Sequence, residues 1–449
     1  MKDKTTEIFA NAPVPKAVLS NVIPSMISML MVLIYNLADT FFIGQTKNAY
    51  MVAAVSVATP AFIIFLAVGM MFGIGGTSTI SRSLGKGERE RAKHISSFCF
   101  WTGSAVGLIA AVLIFAFSEP ICWAVGASAD TIEYASQYLR IVSISIPFLI
   151  LSNAFSHIIR SEGQANVAMA GMIIGNLINI VLDPVMILYL GWDVAGAAIA
   201  TVFGNLFSAG FYIFHLLRHT EILSIKLKDY CIKGVAGGVF AIGIPASLNN
   251  ILMSISNIIV NNMMAEYDDM AVAGLGVAMK VNMIVVMVLI GLGIGIQPIL
   301  GYCFGAGNKK RYLDVLKFSC ALAFGISLVM TFICYFGARF LVTAFLDNAD
   351  AFAYGFSFSR IYILSGPIMG LLFVFINAIQ SIGAALPALV LNVSRQGLVY
   401  IPVLFTFRAI FDRPTMLAAA QPVTDYASVA LAVTLFIIAF RKHFVERKA

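Results

Sequence analysis

Charge is what this sequence has little of. Only 11% of its 449 residues are Asp, Glu, Lys or Arg, 60% are hydrophobic, and the mean hydropathy is +0.92. A soluble domain of that composition would have no polar coat to present to water, so the chain must live in a bilayer. Paired cysteines are missing as well. Cys99, Cys122, Cys231, Cys303, Cys320 and Cys334 show no CxxC and no His/Cys ligand spacing, and they read as small apolar residues rather than disulfide partners or metal ligands. Ten-residue blocks of alternating polarity, which a transmembrane barrel would need, are absent, leaving helices as the spanning element. No short apolar run with an A-x-A site follows the N-terminus, so no cleavable signal is expected and the first span should be retained.

What is present is a succession of apolar segments of about 20 residues, the length a helix needs to cross about 30 Å of hydrocarbon. Twelve are expected, at residues 17–43, 51–79, 95–117, 136–159, 167–190, 194–217, 236–264, 271–300, 314–336, 357–379, 386–410 and 424–440. A formal charge of +7 invites a nucleic-acid reading until the basic residues are placed on this map. With the N-terminus in the cytoplasm, 21 of the 29 Lys and Arg fall on the cytoplasmic side. The positive-inside rule therefore predicts an N-in, C-in multi-pass protein of the cytoplasmic membrane, with lipid and no nucleic acid as its surroundings.

Sliding the chain by 220 residues lays Gly73, Gly75, Gly85 and Gly87 on Gly293, Gly295, Gly305 and Gly307, and Pro147 on Pro367. A six-helix displacement is even, so the halves share one orientation as a parallel repeat. The expected architecture is an all-α membrane protein of twelve helices: an N-lobe (1–217), a cytoplasmic linker (218–234) and a C-lobe (235–449), the lobes facing a central cavity. The glycine runs GIGGTS and GLGIGIQP resemble nucleotide loops but have no preceding strand. Pairs such as Gly69/Gly73, Gly103/Gly107, Gly171/Gly175 and Gly291/Gly295 have the small-xxx-small spacing of close helix contacts.

Two carboxylates, Asp39 and Asp183, lie inside apolar runs, whereas the other acidic residues fall in polar stretches or at segment ends. An ionisable group in a membrane segment points to an ion or proton pathway. Asp39 is roughly 7 Å below the outer end of helix 1 and Asp183 roughly 12 Å below that of helix 5, with Thr201 at similar depth in helix 6. Asn176, Asn179 and Asp183 share one helical face, and Pro184 should kink the helix beside them. Tyr35, Asn36 and Asn205 support the cluster. Such a set suits a proton or Na⁺, although a structural role for the carboxylates fits the same residues. Asn153, His157, Asn249, Asn282, Asn377 and Asn392 read as helix contacts or unspecific lining. The second half has Val260 and Val403 where the first has Asp39 and Asp183. It carries Lys280 and Arg395 instead, either as cavity charges or as structural side chains.

YNLADTFFIG, SRSLGKGERERA, IIRSEGQ, NLINIVLDPVMI and the weaker FGAGNKKR resemble the multidrug and toxic compound extrusion (MATE) family over nearly the full length. The resemblance implies efflux of amphiphilic organic cations and drugs in exchange for H⁺ or Na⁺, without a further cofactor. It also implies a coupling-ion site at Asp39, Asn179, Asp183 and Thr201. The acidic residue that another branch carries on helix 7 or 8 is missing. A monomeric antiporter working by alternating access is thus expected; a lipid-linked glycan flippase is the alternative, and an intramembrane enzyme a distant one for want of a nucleophile or metal constellation.

Overall fold

The computed structural model describes residues 6–45, 49–220, 222–346 and 348–445. With no water in the hydrocarbon to satisfy backbone N–H and C=O groups, helices must satisfy them internally, and the described chain is built from helices. Apart from short helices such as Thr6–Asn11 and Ser118–Val125, they are in chain order α1 (Val14–Gln45), α2 (Ala49–Gly85), α3 (Arg89–Ala116), α4 (Ile132–Ser143 and Ile146–Ile158), α5 (Ala165–Asp183, continued by a π-helix at Pro184–Tyr189), α6 (Asp193–Arg218), α7 (Ala236–Ala265), α8 (Asp269–Gly305), α9 (Lys309–Thr343), α10 (Ala349–Ile363 and Gly366–Ile382), α11 (Ala385–Val393, a π-helix at Ser394–Leu398, then Tyr400–Phe411) and α12 (Pro414–Val445). Ten of these are long and apolar enough to span a membrane on their own. The bent pairs of α4 (55°) and α10 (51°) bring the number to twelve, matching the twelve expected segments.

Two differences from the sequence reading matter. Pro184 makes no sharp break: α5 absorbs the missing donor in the π-helical segment Pro184–Tyr189, a local widening common at functional sites. And α12 starts at Pro414, well before the expected residue 424, because Gln421, Pro422, Thr424 and Asp425 dilute the hydropathy of a continuous helix.

The chain divides into two compact units, Ile27–Gly243 and the segment up to Met26 together with Ile244 onward. The first, the N-unit, holds most of α1, all of α2–α6 and the first turns of α7. Its linker is no slack tether. Ser96 Oγ donates to the Ser224 carbonyl and accepts from the Ser224 N–H (both 2.8 Å), Ser97 Oγ donates to the Lys226 carbonyl (2.8 Å), and Trp101 Nε1 donates to that of Ile225 (3.1 Å). Glu162, buried after α4, accepts the Leu223 N–H (3.0 Å) and the Thr220 hydroxyl. The strap is thus bonded along its length to α3 and the end of α4.

The second, the C-unit, packs its core around α8. Leu289, Leu292, Ile296 and Ile299 meet Leu372, Ala378 and Ile379 of α10 and Tyr312 of α9, all nearly inaccessible. Outward faces stay apolar in both units: Leu108, Ile109, Val112 and Phe115 on α3, and Phe332, Phe336 and Phe340 on α9, are exposed. Large apolar faces left open in this way are suited to lipid rather than water.

Candidate functional site

The site lies wholly in the N-unit and starts from two glycines. A Cβ on Gly175 would come within 2.8 Å of the Gly204 carbonyl oxygen, and one on Gly204 within 2.8 Å of the Gly175 carbonyl oxygen. With no side chain at either, α5 and α6 approach backbone to backbone, which sets Asn179, one turn beyond Gly175, against Thr201. GIGGTS serves the same end in α2, where a Cβ on Gly73 would sit 3.0 Å from His157 and 3.2 Å from the Ala154 backbone of α4. These glycines make helix contacts and cradle no nucleotide.

On the α5 face, Asp183 is fully buried, Asn179 is 3% exposed, and Asn176 is half-buried. The Asn179 amide, turned so that each end meets a complementary group, donates to Asp183 Oδ2 (2.8 Å) and accepts from the Thr201 backbone N–H (3.1 Å). The Thr201 hydroxyl donates to the Ala197 carbonyl (3.0 Å), and Asn205 Nδ2 donates to the Thr201 carbonyl (3.0 Å). Among the described residues Asp183 Oδ1 and Asn176 Nδ2 have no hydrogen-bond partner. An unpartnered carboxylate oxygen in the protein interior is costly and calls for an explanation.

Asp39, half-buried on α1, is near enough to Asp183 for the two charges to act on each other, and the phenols of Tyr35 and Tyr138 lie in the field of both. Ile187 and Ala197 form a small apolar cluster with Phe42 and Tyr138. Tyr35, Asn36, Asn153, Asn176, Asn179, Thr201 and Asn205 line a cavity of about 160 Å³, with Ser152, Ser156 and Ser208; the two carboxylates are not part of its lining. Asn36 is exposed on α1, and Asn205 is half-buried on α6. Asn153, read in the sequence as a helix contact or unspecific lining, belongs to this lining. Tyr138, Ser152 and Ser156 went unnoticed, because nothing in the pattern of α4 tells which of its residues the 55° bend turns inward.

In the C-unit, Arg395 takes the structural of the two roles its sequence position allowed. Arg395 is buried in the π-helical turn of α11, its Nε 3.5 Å from Asp425 Oδ1 on α12 and its guanidinium 5.3 Å from the Phe373 ring centroid. It is a paired, interior side chain of its own unit. Asp425 is therefore a third immersed carboxylate, which the late expected start of α12 had placed at a segment end. Lys280 is exposed on α8, with its ammonium 5.3 Å from the Phe345 ring centroid. Arg160, one of the basic residues counted on the cytoplasmic side, is fully buried and donates to the Ser156 carbonyl and to Ser28 Oγ (3.3 Å).

Asp39, Asn179, Asp183 and Thr201 offer carboxylate, amide and hydroxyl oxygens, the donors a hard cation prefers, and the unpartnered Asp183 Oδ1 suits either a bound cation or a proton. The MatE family model matches residues 24–185 and 245–406, once in each half of the chain. The multidrug export protein MepA of Staphylococcus aureus (strain MSSA476) is 32% identical over 413 residues, spanning 92% of this chain and 91% of its own. This chain belongs to the MatE family. MepA of Staphylococcus haemolyticus (strain JCSC1435) is likewise 32% identical, over 415 residues and the same shares. Among solved structures, MATE in complex with MaL6 superposes with a TM-score of 0.92 over 100% of both chains at 22% identity. An outward-facing multidrug resistance MATE family transporter gives 0.92 over 99% of both at 22% identity; at that identity the likeness speaks to the fold. The chain is thus an all-α, multi-pass MatE transporter and not an enzyme.

Proposed function

We propose that this MatE transporter expels amphiphilic, cationic compounds from the cytoplasm in exchange for H⁺ or Na⁺, and that Asp39, Asn179, Asp183 and Thr201 hold the coupling ion. The observation that carries the reading is the state of Asp183: wholly buried, one oxygen bonded to Asn179 and the other without a partner among the described residues. A charge that only stabilised the fold would be fully bonded or paired. One left half-bonded beside a second carboxylate needs a cation that arrives and leaves. That the MepA relatives are multidrug export proteins supports the substrate class, and the amide-rich cavity offers polar groups to a coupling ion or its water.

The mechanism follows from charge. Two carboxylates close together repel, so binding a proton or Na⁺ is favoured over leaving both bare. Binding neutralises the cluster, which removes the cost of packing it in an apolar setting and biases α1, which carries Tyr35, Asn36 and Asp39, toward a second arrangement. A cationic drug favours the charged arrangement, and the coupling ion the neutral one. Two ligands with opposite preferences for the same pair of states exchange with each other by linkage. With both termini on the cytoplasmic side, as the basic residues indicate, inward ion flow drives outward drug flow.

The test is accumulation of a fluorescent organic cation by proteoliposomes under an imposed pH gradient and, separately, a Na⁺ gradient. Wild type should respond to at least one gradient, and Asp39→Asn and Asp183→Asn to neither. Full gradient-driven transport by either variant would remove the coupling role.

A further inference from the structure

Asp425 in the C-unit is as deeply buried as Asp183, at 1% exposure, but its oxygens are engaged. Oδ2 accepts from Ser365 Oγ (2.9 Å), and Oδ1 accepts from Gln421 Nε2 (3.1 Å) with Arg395 Nε 3.5 Å away. Ser365 caps the second segment of α10 at its 51° bend, and Arg395 sits in the π-helical turn of α11. One carboxylate of α12 thus joins the irregular points of two neighbouring helices. Of the charged or titratable groups facing it, Arg395 is the cation, while Tyr362 and Tyr400 present buried phenols.

As at Asp183, where the Asn179 amide donates to the carboxylate, a side-chain amide N–H meets the carboxylate here, joined by a hydroxyl. The difference is the guanidinium. We propose that Arg395 is a tethered counter-cation: it fills, permanently and from within the chain, a C-unit position at Asp425 that would otherwise take a free monovalent cation or a proton, and so limits the protein to coupling-ion binding in the N-unit. The inference rests on the reading of the N-unit site given above. The guanidinium is held by more than the carboxylate, lying against the Phe373 ring and 3.9 Å from Met369 Sδ, so it does not leave during turnover as a free ion does. Removing it leaves Asp425 in the condition of Asp183, buried and short of a partner, and Asp425 should then recruit a cation from solution.

The experiment reads thermal unfolding of the purified full-length protein in detergent, with choline, Na⁺ or acid as the only variable. In the Asp39→Asn/Asp183→Asn background the midpoint should be flat. Adding Arg395→Gln should lower it at neutral pH without Na⁺ and make it rise by about 2 °C or more on adding Na⁺ or acidifying. Adding Asp425→Asn as well should make it flat again. Arg395→Lys keeps a cation in place and should gain no response. The proposal is overturned if the Arg395→Gln variant unfolds cooperatively with no response to either cation. It is equally overturned if that variant fails to fold at every pH and Na⁺ concentration while the version carrying Asp425→Asn folds. A response still present in Asp39→Asn/Asp183→Asn alone counts against the N-unit reading only, because the signal in question is the one gained with Arg395→Gln and lost with Asp425→Asn.

Discussion

Asp183 of the N-unit and Asp425 of the C-unit are both withdrawn from solvent on membrane helices, yet their surroundings differ in kind. Around Asp183 a single amide reaches one oxygen, and the nearest charge is another carboxylate, Asp39. Around Asp425 a hydroxyl, an amide and a guanidinium converge. On the proposed reading the first is an interior carboxylate that takes its cation from solution, whereas the second has one within the chain, Arg395. Burial alone therefore says little about what an intramembrane carboxylate does; the bonding around it decides.

The comparison breaks most visibly through folding. Asp425→Asn strands a buried guanidinium and should cost about 3–5 kcal/mol, read as a large fall in unfolding midpoint and in the amount of folded protein recovered. Arg395→Gln added to it should restore most of the loss. Asp183→Asn has no fixed cation to strand, keeps the Asn179 contact, and should leave folding near wild type while abolishing gradient-driven efflux. Equal damage to folding by both Asn variants would erase the distinction drawn here.

A smaller effect is expected where the helices meet. Gly175→Ala places a methyl 2.8 Å from the Gly204 carbonyl oxygen, and the separation it forces should cost about 1–3 kcal/mol in stability. It should also weaken the response to the coupling ion by drawing Asn179 away from Thr201. Unchanged ion dependence in a folded Gly175→Ala protein would mean that the α5–α6 approach does not build the site. Smallest of all, Thr201→Val removes a proposed neutral ligand, worth about 0.5–1.5 kcal/mol. The concentration of coupling ion giving half-maximal transport should rise by up to about tenfold, with the maximal rate retained.

Much of this was legible in the sequence. The two six-helix halves followed from the 220-residue repeat and the spacing of apolar runs. The α5 face followed from the positions of Asn176, Asn179 and Asp183, since a helix fixes which residues point together. What was not legible required tertiary knowledge. Asp425 was taken for a segment end because Gln421, Pro422 and Thr424 lower the local hydropathy, although packing against Ser365 and Arg395 makes the helix continuous. Arg160 and Glu162 lie in a polar stretch, and only the fold shows that both are buried, with Glu162 holding the linker. The share of α4 in the cavity depends on a bend at Ile144–Ser145 that carries no proline at the break itself.

The claim that one cation-accepting site in the N-unit drives exchange is tested most directly by drug binding to the purified protein between about pH 5 and about pH 9, with and without Na⁺. If the coupling ion and a cationic drug favour opposite states, affinity for the drug should fall on acidification or on adding Na⁺. The Asp39→Asn/Asp183→Asn protein should show neither dependence. A wild-type affinity that is flat across pH and Na⁺, indistinguishable from that double variant, would contradict the account.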